Sequence, residues 1–259
     1  MNINRKDIEI MAPVGSFEAL MAAIQAKADA VYFGIGNLNM RSASTINFTL
    51  NDLQTISKIC KEHNVKSYLT LNTVIYDEDI DDMKKIIAAA IENKIDAIIA
   101  SDFAVIEEAK RQGIRIHCST QLNISNSFAV KYFAKYSDVM VLARELNLNQ
   151  VSDIHKYIIE NNITGPSGEP VKIEMFIHGA LCMAVSGKCY LSLHHHNKSA
   201  NRGMCLQDCR REYETAIFSS RHCKNNKTIY NKIDKTGKQI KRKYTPQKSK
   251  YCYKKQDRY

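Results

Sequence analysis

The sequence predicts an α/β fold, an incomplete TIM-type (β/α) barrel with a cysteine-rich segment after its seventh strand. Three observations carry this reading. Apolar runs of four to six residues alternate with stretches of helical period, the signature of a parallel sheet covered by helices. The alternation repeats seven times, at the roughly 25–30-residue pitch of such barrels. No strand is followed by a Gly-rich nucleotide-binding turn. Gly34-Ile35-Gly36 is only a fragment of one, so a doubly wound open sheet ranks second.

The elements follow in order. The first strand is expected over 8–12, closed by Pro13 and Gly15. Ser16 then caps a helix over 17–26, because its hydroxyl can accept from an N–H that the first helical turn leaves unpaired. Further strands are expected at 30–34, 66–71, 97–100, 115–119, 139–142 and 172–177, and helices at 50–63, 80–93, 102–112, 125–136 and 148–161. Gly113 stops the helix before it, and the turn-rich stretch 164–170 introduces the seventh strand.

Composition narrows the class. The chain has 259 residues, 44% of them hydrophobic, enough for one sizeable core. No run approaches the roughly 18 apolar residues of a membrane span. The start carries Arg5, Lys6 and Asp7 without an apolar stretch, so no signal peptide and a cytoplasmic location are expected. The net charge of +10 belongs to one end. Residues 219–259 hold 14 Lys and Arg against 2 Asp and Glu, leaving 23 basic and 25 acidic residues elsewhere. Three regions are expected: barrel over 1–178, cysteine-rich segment over 179–216, basic tail over 217–259.

Barrel chemistry sits at the C-terminal ends of the strands, and polar residues gather there. Arg41 lies beyond the second strand, Asn72 ends the third, Ser119, Thr120, Gln121 and Asn123 follow the fifth, Arg144 and Glu145 the sixth, His178 the seventh. Any one of these can serve merely as a helix cap. The ring of them is the signal.

Cys182, Cys189, Cys205 and Cys209 stand in the spacing C-x6-C-x15-C-x3-C. In a long, unexported chain such a cluster favours metal over disulfides. Four thiolates suit a zinc ion or an iron–sulfur cluster, and the six-residue gap sits poorly with a zinc ribbon. Gly179, Gly187 and Gly203 beside them suggest close backbone approach to something compact. Cys60 and Cys118 lie in apolar surroundings and read as core. His194, His195 and His196 read as an exposed loop outside the site.

The stretch from Glu174 to Ser192 meets every fixed position of the pattern Glu-x-Phe-x-x-Gly-Ala-Leu-Cys-x4-Gly-x-Cys-x-Leu-Ser. With Met11-Ala-Pro-Val-Gly-Ser-Phe-Glu-Ala-Leu20 and Asp29-Ala-Val-Tyr-Phe-Gly34, it resembles the collagenase-like peptidases, family U thirty-two, over residues 7–216. Within that family the chain looks most similar to the branch that hydroxylates tRNA. The resemblance implies an enzyme that helps form 5-hydroxyuridine at the tRNA wobble position, with tRNA as partner and prephenate as hydroxyl donor. It implies a 4Fe-4S cluster on Cys182, Cys189 and Cys205, with Cys209 as the fourth ligand. Prephenate is a dianion and needs fixed cations; Arg41, Arg144, His178 and Arg202 are the candidates, Arg gripping carboxylates bidentately. The family's name raises peptidase as the alternative. The sequence holds no His-Glu-x-x-His and no Gly-x-Ser-x-Gly, and nothing but position marks Cys118 or Ser119 as a nucleophile. It identifies no partner protein.

After Tyr213 the alternating pattern fades. The Lys, Asn, Ile, Tyr and Thr of the tail are what A/T-rich DNA encodes in an arbitrary frame, so a truncated or frameshifted reading frame is expected, and with it a fragment that could be inactive. The other readings are an RNA-binding basic arm with stacking tyrosines, Tyr230, Tyr244, Tyr251 and Tyr253, and plain disorder.

Overall fold

The computed structural model describes residues 5, 8–42, 47–179, 182–211, 231–233 and 239–241. Seven strands form one sheet in chain order: β1 (Met11–Pro13), β2 (Ala30–Gly34), β3 (Lys66–Leu71), β4 (Ala97–Ala100), β5 (Ile116–Cys118), β6 (Val139–Val141) and β7 (Lys172–Glu174). Every neighbouring pair is parallel. The helices between them are α1 (Phe17–Gln25), α2 (Leu53–Glu62), α3 (Ile80–Glu92), α4 (Phe103–Gln112), α5 (Ser127–Phe133) and α6 (Leu148–Glu160). This is the expected seven-unit (β/α) half of the design, a curled parallel sheet under a helical layer.

Local chemistry fixes the helices. On α3 the buried residues Met83, Ile86, Ile87 and Ala90 fall at helical spacing and make one stripe. Ser16 caps α1 as expected, accepting from Ala19 N–H at 3.2 Å. Asp102 caps α4, and Gly113 ends it with φ +81°, a conformation that costs glycine little. Asn147 and Gln150 satisfy each other's backbone N–H groups at the start of α6, a capping box.

The strands sort their side chains by alternation. Leu69 and Leu71 of β3 turn outward, into one core with Leu20, Ile56, Ile87 and Ile106 of the helices. Tyr68, one residue before Leu69, turns into the bore with Ala30, Ala97 and Ile99. A second core joins Cys118, Met140 and Ile173 to Val151, Ile154 and Ile158 of α6.

Four expectations change. The outer strands are shorter than expected: β7 stops at Glu174, and Met175, Phe176 and Ile177 are exposed, because among the described residues no strand pairs with that edge. The cysteine segment is not a separate region, since residues 1–209 form one compact unit. The histidines are not a loop: α7 (Leu191–His196) carries them, and His196 Nε2 lies 3.1 Å from the buried Asp208 carboxylate. In the second unit, residues 210–259, two strands pair antiparallel, β8 (Asn231–Ile233) and β9 (Gln239–Lys241); the rest of the expected tail lies outside the described residues. No described helix is long and apolar enough to cross a membrane.

Candidate active site at the barrel mouth

The C-terminal ends of β3, β4 and β5 supply one connected polar network. Asn72, at the end of β3, accepts from Met40 N–H (3.1 Å) and donates toward Ser119 Oγ (3.4 Å). The Ser119 hydroxyl donates to Gln121 Oε1. Ser101, after β4, donates to the Asn72 carbonyl (2.9 Å), and Asp102 accepts from Ile75 N–H (3.0 Å) while it caps α4. Met40, Asn72, Ser101, Asp102 and Gln121 line a cavity of about 120 Å³ together with Gly187 and Asn201 of the cysteine segment. Thr73, almost wholly buried in its wall, has an Oγ1 without a hydrogen-bond partner among the described residues.

The cysteine segment is therefore the roof of the barrel. Asn201 ties both layers together: its carbonyl accepts from Val74 N–H (3.2 Å) and its side chain from Cys189 N–H (3.0 Å). Asn123 donates to the Ser186 carbonyl (2.9 Å). Gly187 (φ +70°) lies so close to Gln121 that an added Cβ would stand 3.0 Å from the Gln121 Cβ. Gly203 (φ +81°) is tighter, for a Cβ there would overlap the Asn39 carbonyl oxygen and Ser42 Oγ. The close approach expected of these two glycines is thus to the barrel loops. Gly179 has open space around it.

Arg202 does not offer a free cation. Its guanidinium donates twice to the Asp79 carboxylate, once to the Val74 carbonyl (3.2 Å), and lies 4.0 Å over the Tyr76 ring. The Arg202 charge holds the Asp79 carboxyl below the usual range. As a correction, Arg202 fastens the roof to the loop between β3 and α3, its charge already paired with a carboxylate. Arg202→Ala is expected to lower stability by about 1–3 kcal/mol, the range of hydrogen bonds to a charge. Urea denaturation of Arg202→Ala, Asp79→Asn and the double variant checks this; strictly additive losses would deny the coupling.

The other expected cations separate. Arg144 stands beside the roof, with one Nη donating to Ser186 Oγ and a buried Nε that finds no partner among the described residues. Arg41 is exposed beyond β2, its charge felt by the Tyr32 phenol. His178 is exposed beyond β7. The cavity itself is lined by neutral groups and Asp102, and none of the four expected cations lines it.

All four segment cysteines are free thiols, Cys205 exposed and the others partly buried. Cys60 and Cys118 are buried as expected, and burial pushes their thiols up to about 11 and about 12. As donors, four thiols suit an iron–sulfur cluster. Among the described residues no three of His, Cys, Asp or Glu are arranged to hold a metal.

Sequence reasoning missed Thr73, Ser101 and Asn201. Ser101 could have been found from its place one residue past a strand end. Asn201 could not, because nothing in a sequence says which asparagine of a loop will bridge two others.

The family model described as "Peptidase family U32" matches residues 15–257. A collagenase of Porphyromonas gingivalis strain W83 is 62% identical over 213 residues, which is 82% of this chain and 51% of that protein. The tRNA hydroxylation protein P1 of Bacillus subtilis is 32% identical, over 81% of this chain and 47% of its own length. The 23S rRNA 5-hydroxycytidine C2501 synthase of Escherichia coli is 33% identical, over 82% and 31%. The chain thus spans about half the length, or less, of these curated relatives. With its family model matched over most of its length and its signature segment folded as the roof of a parallel (β/α) sheet, this chain belongs to peptidase family U32.

Proposed function

We propose that this chain is the iron–sulfur part of an RNA-hydroxylating enzyme that forms 5-hydroxyuridine in tRNA and takes its hydroxyl group from prephenate. The observation that carries the reading is the state of the would-be nucleophiles. The Cys118 thiol is buried and held at about 12, far from the thiolate a cysteine peptidase uses. The Ser119 hydroxyl is spent on the Gln121 carbonyl, with only the Asn72 amide also at its oxygen among the described residues. The two relatives named for RNA hydroxylation support an RNA substrate. Cys182, Cys189, Cys205 and Cys209 would hold a 4Fe-4S cluster. Holding it requires the roof to draw its thiols together. When bound, the cluster supplies electron transfer or a Lewis-acidic iron. Arg144 and Arg41 would hold the two carboxylates of prephenate.

Peptidase is the second reading, favoured by the name of the 62% identical relative. One experiment separates the two. The chain and its Cys182→Ala variant are expressed in a bacterium lacking its own tRNA hydroxylation genes and purified without oxygen. The expected result is about four irons per chain and 5-hydroxyuridine in the tRNA digest, both lost in the variant. Zinc in place of iron, or gelatin cleavage that survives iron removal, would overturn the proposal.

A further inference from the structure

The bore of the barrel holds a level of side chains that the mouth chemistry above does not use. On β7, Ile173 packs outward against α6, so Lys172 and Glu174 face the bore. On β5, Ile116 and Cys118 pack outward, so His117 faces it. Its ring lies 4.5 Å from that of Tyr68 on β3. The register runs Met11 to Ala30 to Lys66, and His117 to Val139 to Lys172. A barrel's stagger advances about one residue per strand. That advance sets Met11, Tyr68, His117 and Glu174, all from odd strands, at one level. In most barrels such a level of four is apolar and branched. Here three of the four are ionisable.

The level is also electrically asymmetric. Below it, Glu9 accepts from Lys66 Nζ (2.5 Å) and from the Tyr68 hydroxyl (2.7 Å), which favours its carboxylate. Glu174 has no such donors among the described residues. Burial, and then the charge of Glu9, push its carboxyl up to about 7. Burial holds His117 down at about 4, hence neutral, and its Nδ1 lacks a partner among the described residues. The other groups facing this space are Tyr32 on β2 with Arg41 beyond it, Arg115 ahead of β5, which is paired with Asp96, and Lys172 on β7. Strands β4 and β6 contribute Ala97, Ile99, Val139 and Val141, none ionisable. Two carboxylates in one bore with their affinities for a proton driven apart is the arrangement that assigns acid and base roles.

We infer that Glu174, the last residue of β7, is an acid–base residue of this barrel that presents one exchangeable proton to a molecule reaching from the mouth down into the bore, while Glu9 below it stays ionised. The activity arm of the test rests on the RNA-hydroxylation reading; the titration arm does not. Carbon-13 glutamate spectra of the full chain are followed from pH 4 to 9 in the native protein, in Glu174→Gln and in Glu9→Gln. The expected result is one carboxyl titrating at about pH 7, absent in Glu174→Gln and moved downward in Glu9→Gln, where the opposing charge is gone. The native chain also loses stability as pH rises from the unfolded carboxyl value through about 7, since the folded state binds the extra proton; Glu174→Gln lacks that loss. Hydroxyuridine formation falls about 100-fold or more in Glu174→Gln, the scale of acid–base catalysis, with the fold retained. A Glu174 carboxyl that titrates with ordinary glutamates, or a Glu174→Gln chain as active as the native one, overturns the inference. A native chain that titrates near 7 yet makes no hydroxyuridine sinks the hydroxylation reading and leaves the proton site standing.

Discussion

Gly203→Ala is expected to detach the roof from the barrel, at a cost of about 2–6 kcal/mol. Two effects add. The residue sits at φ +81°, where a side chain costs on the order of 1–3 kcal/mol. The new methyl would also overlap the Asn39 carbonyl oxygen and Ser42 Oγ, and overpacking costs about 1–3 kcal/mol more. Asn39 cannot easily give way. It is buried, its Nδ2 donates to the Ile35 and Gly36 carbonyls (3.2 and 3.1 Å), and its Oδ1 accepts from Arg41 N–H (3.0 Å). The roof is then the part that moves. Limited proteolysis should show new cleavage within 182–211 while the fragment before it stays protected. A Gly203→Ala chain as resistant as the native one would mean that Gly203 does not hold the roof down.

Phe33→Ala is expected to cost about 3–5 kcal/mol, the range for truncating a buried aromatic. Phe33 is 1% exposed, on the outward face of β2, and its ring meets that of Phe48 edge to face at 5.7 Å. Phe48 in turn meets Phe17 of α1 at 5.2 Å. Removing the Phe33 ring takes a fully buried side chain from the core and an edge-to-face partner from Phe48, and such pairs add about 0.5–1.5 kcal/mol beyond area. The urea midpoint should fall sharply with little change in slope. A fall no greater than that of an exposed control such as Phe128→Ala (Phe128 is 79% exposed) would contradict the packing.

The fold was legible because its parallel strands are buried on both faces and read as apolar runs: the expected 30–34, 66–71 and 97–100 match β2, β3 and β4 residue for residue. The ends of the sheet were not, because strand length there depends on a neighbour and not on propensity. The polar ring at the mouth was legible from position alone, and Asn72, Ser119 and Gln121 do form one network. Arg202 shows where such reasoning stops. An arginine beside a cysteine reads as a substrate cation, and only the fold reveals Asp79, 123 residues away in sequence. The bore level escaped notice for a related reason. Tyr68, His117 and Glu174 each look like an ordinary interruption of an apolar strand, and only the register brings them to one height.

The strict chain order of the sheet has a consequence for how the protein is made. Each strand adds beside the one synthesised just before it, so the sheet can grow from the N-terminus while synthesis continues, every pairing closing one short loop. The roof cannot begin early. Asn39, Val74, Asp79, Gln121 and Asn123, which receive it, come from three different connections, and all must be in place before Gly187, Asn201, Arg202 and Gly203 have anything to seat against. The thiols of the segment therefore leave the ribosome last among the parts of this unit, and they do so onto a finished surface. Whatever captures them meets a barrel already built, and a delay in that capture leaves four cysteines open to oxidation beside a folded protein rather than within an unfolded one.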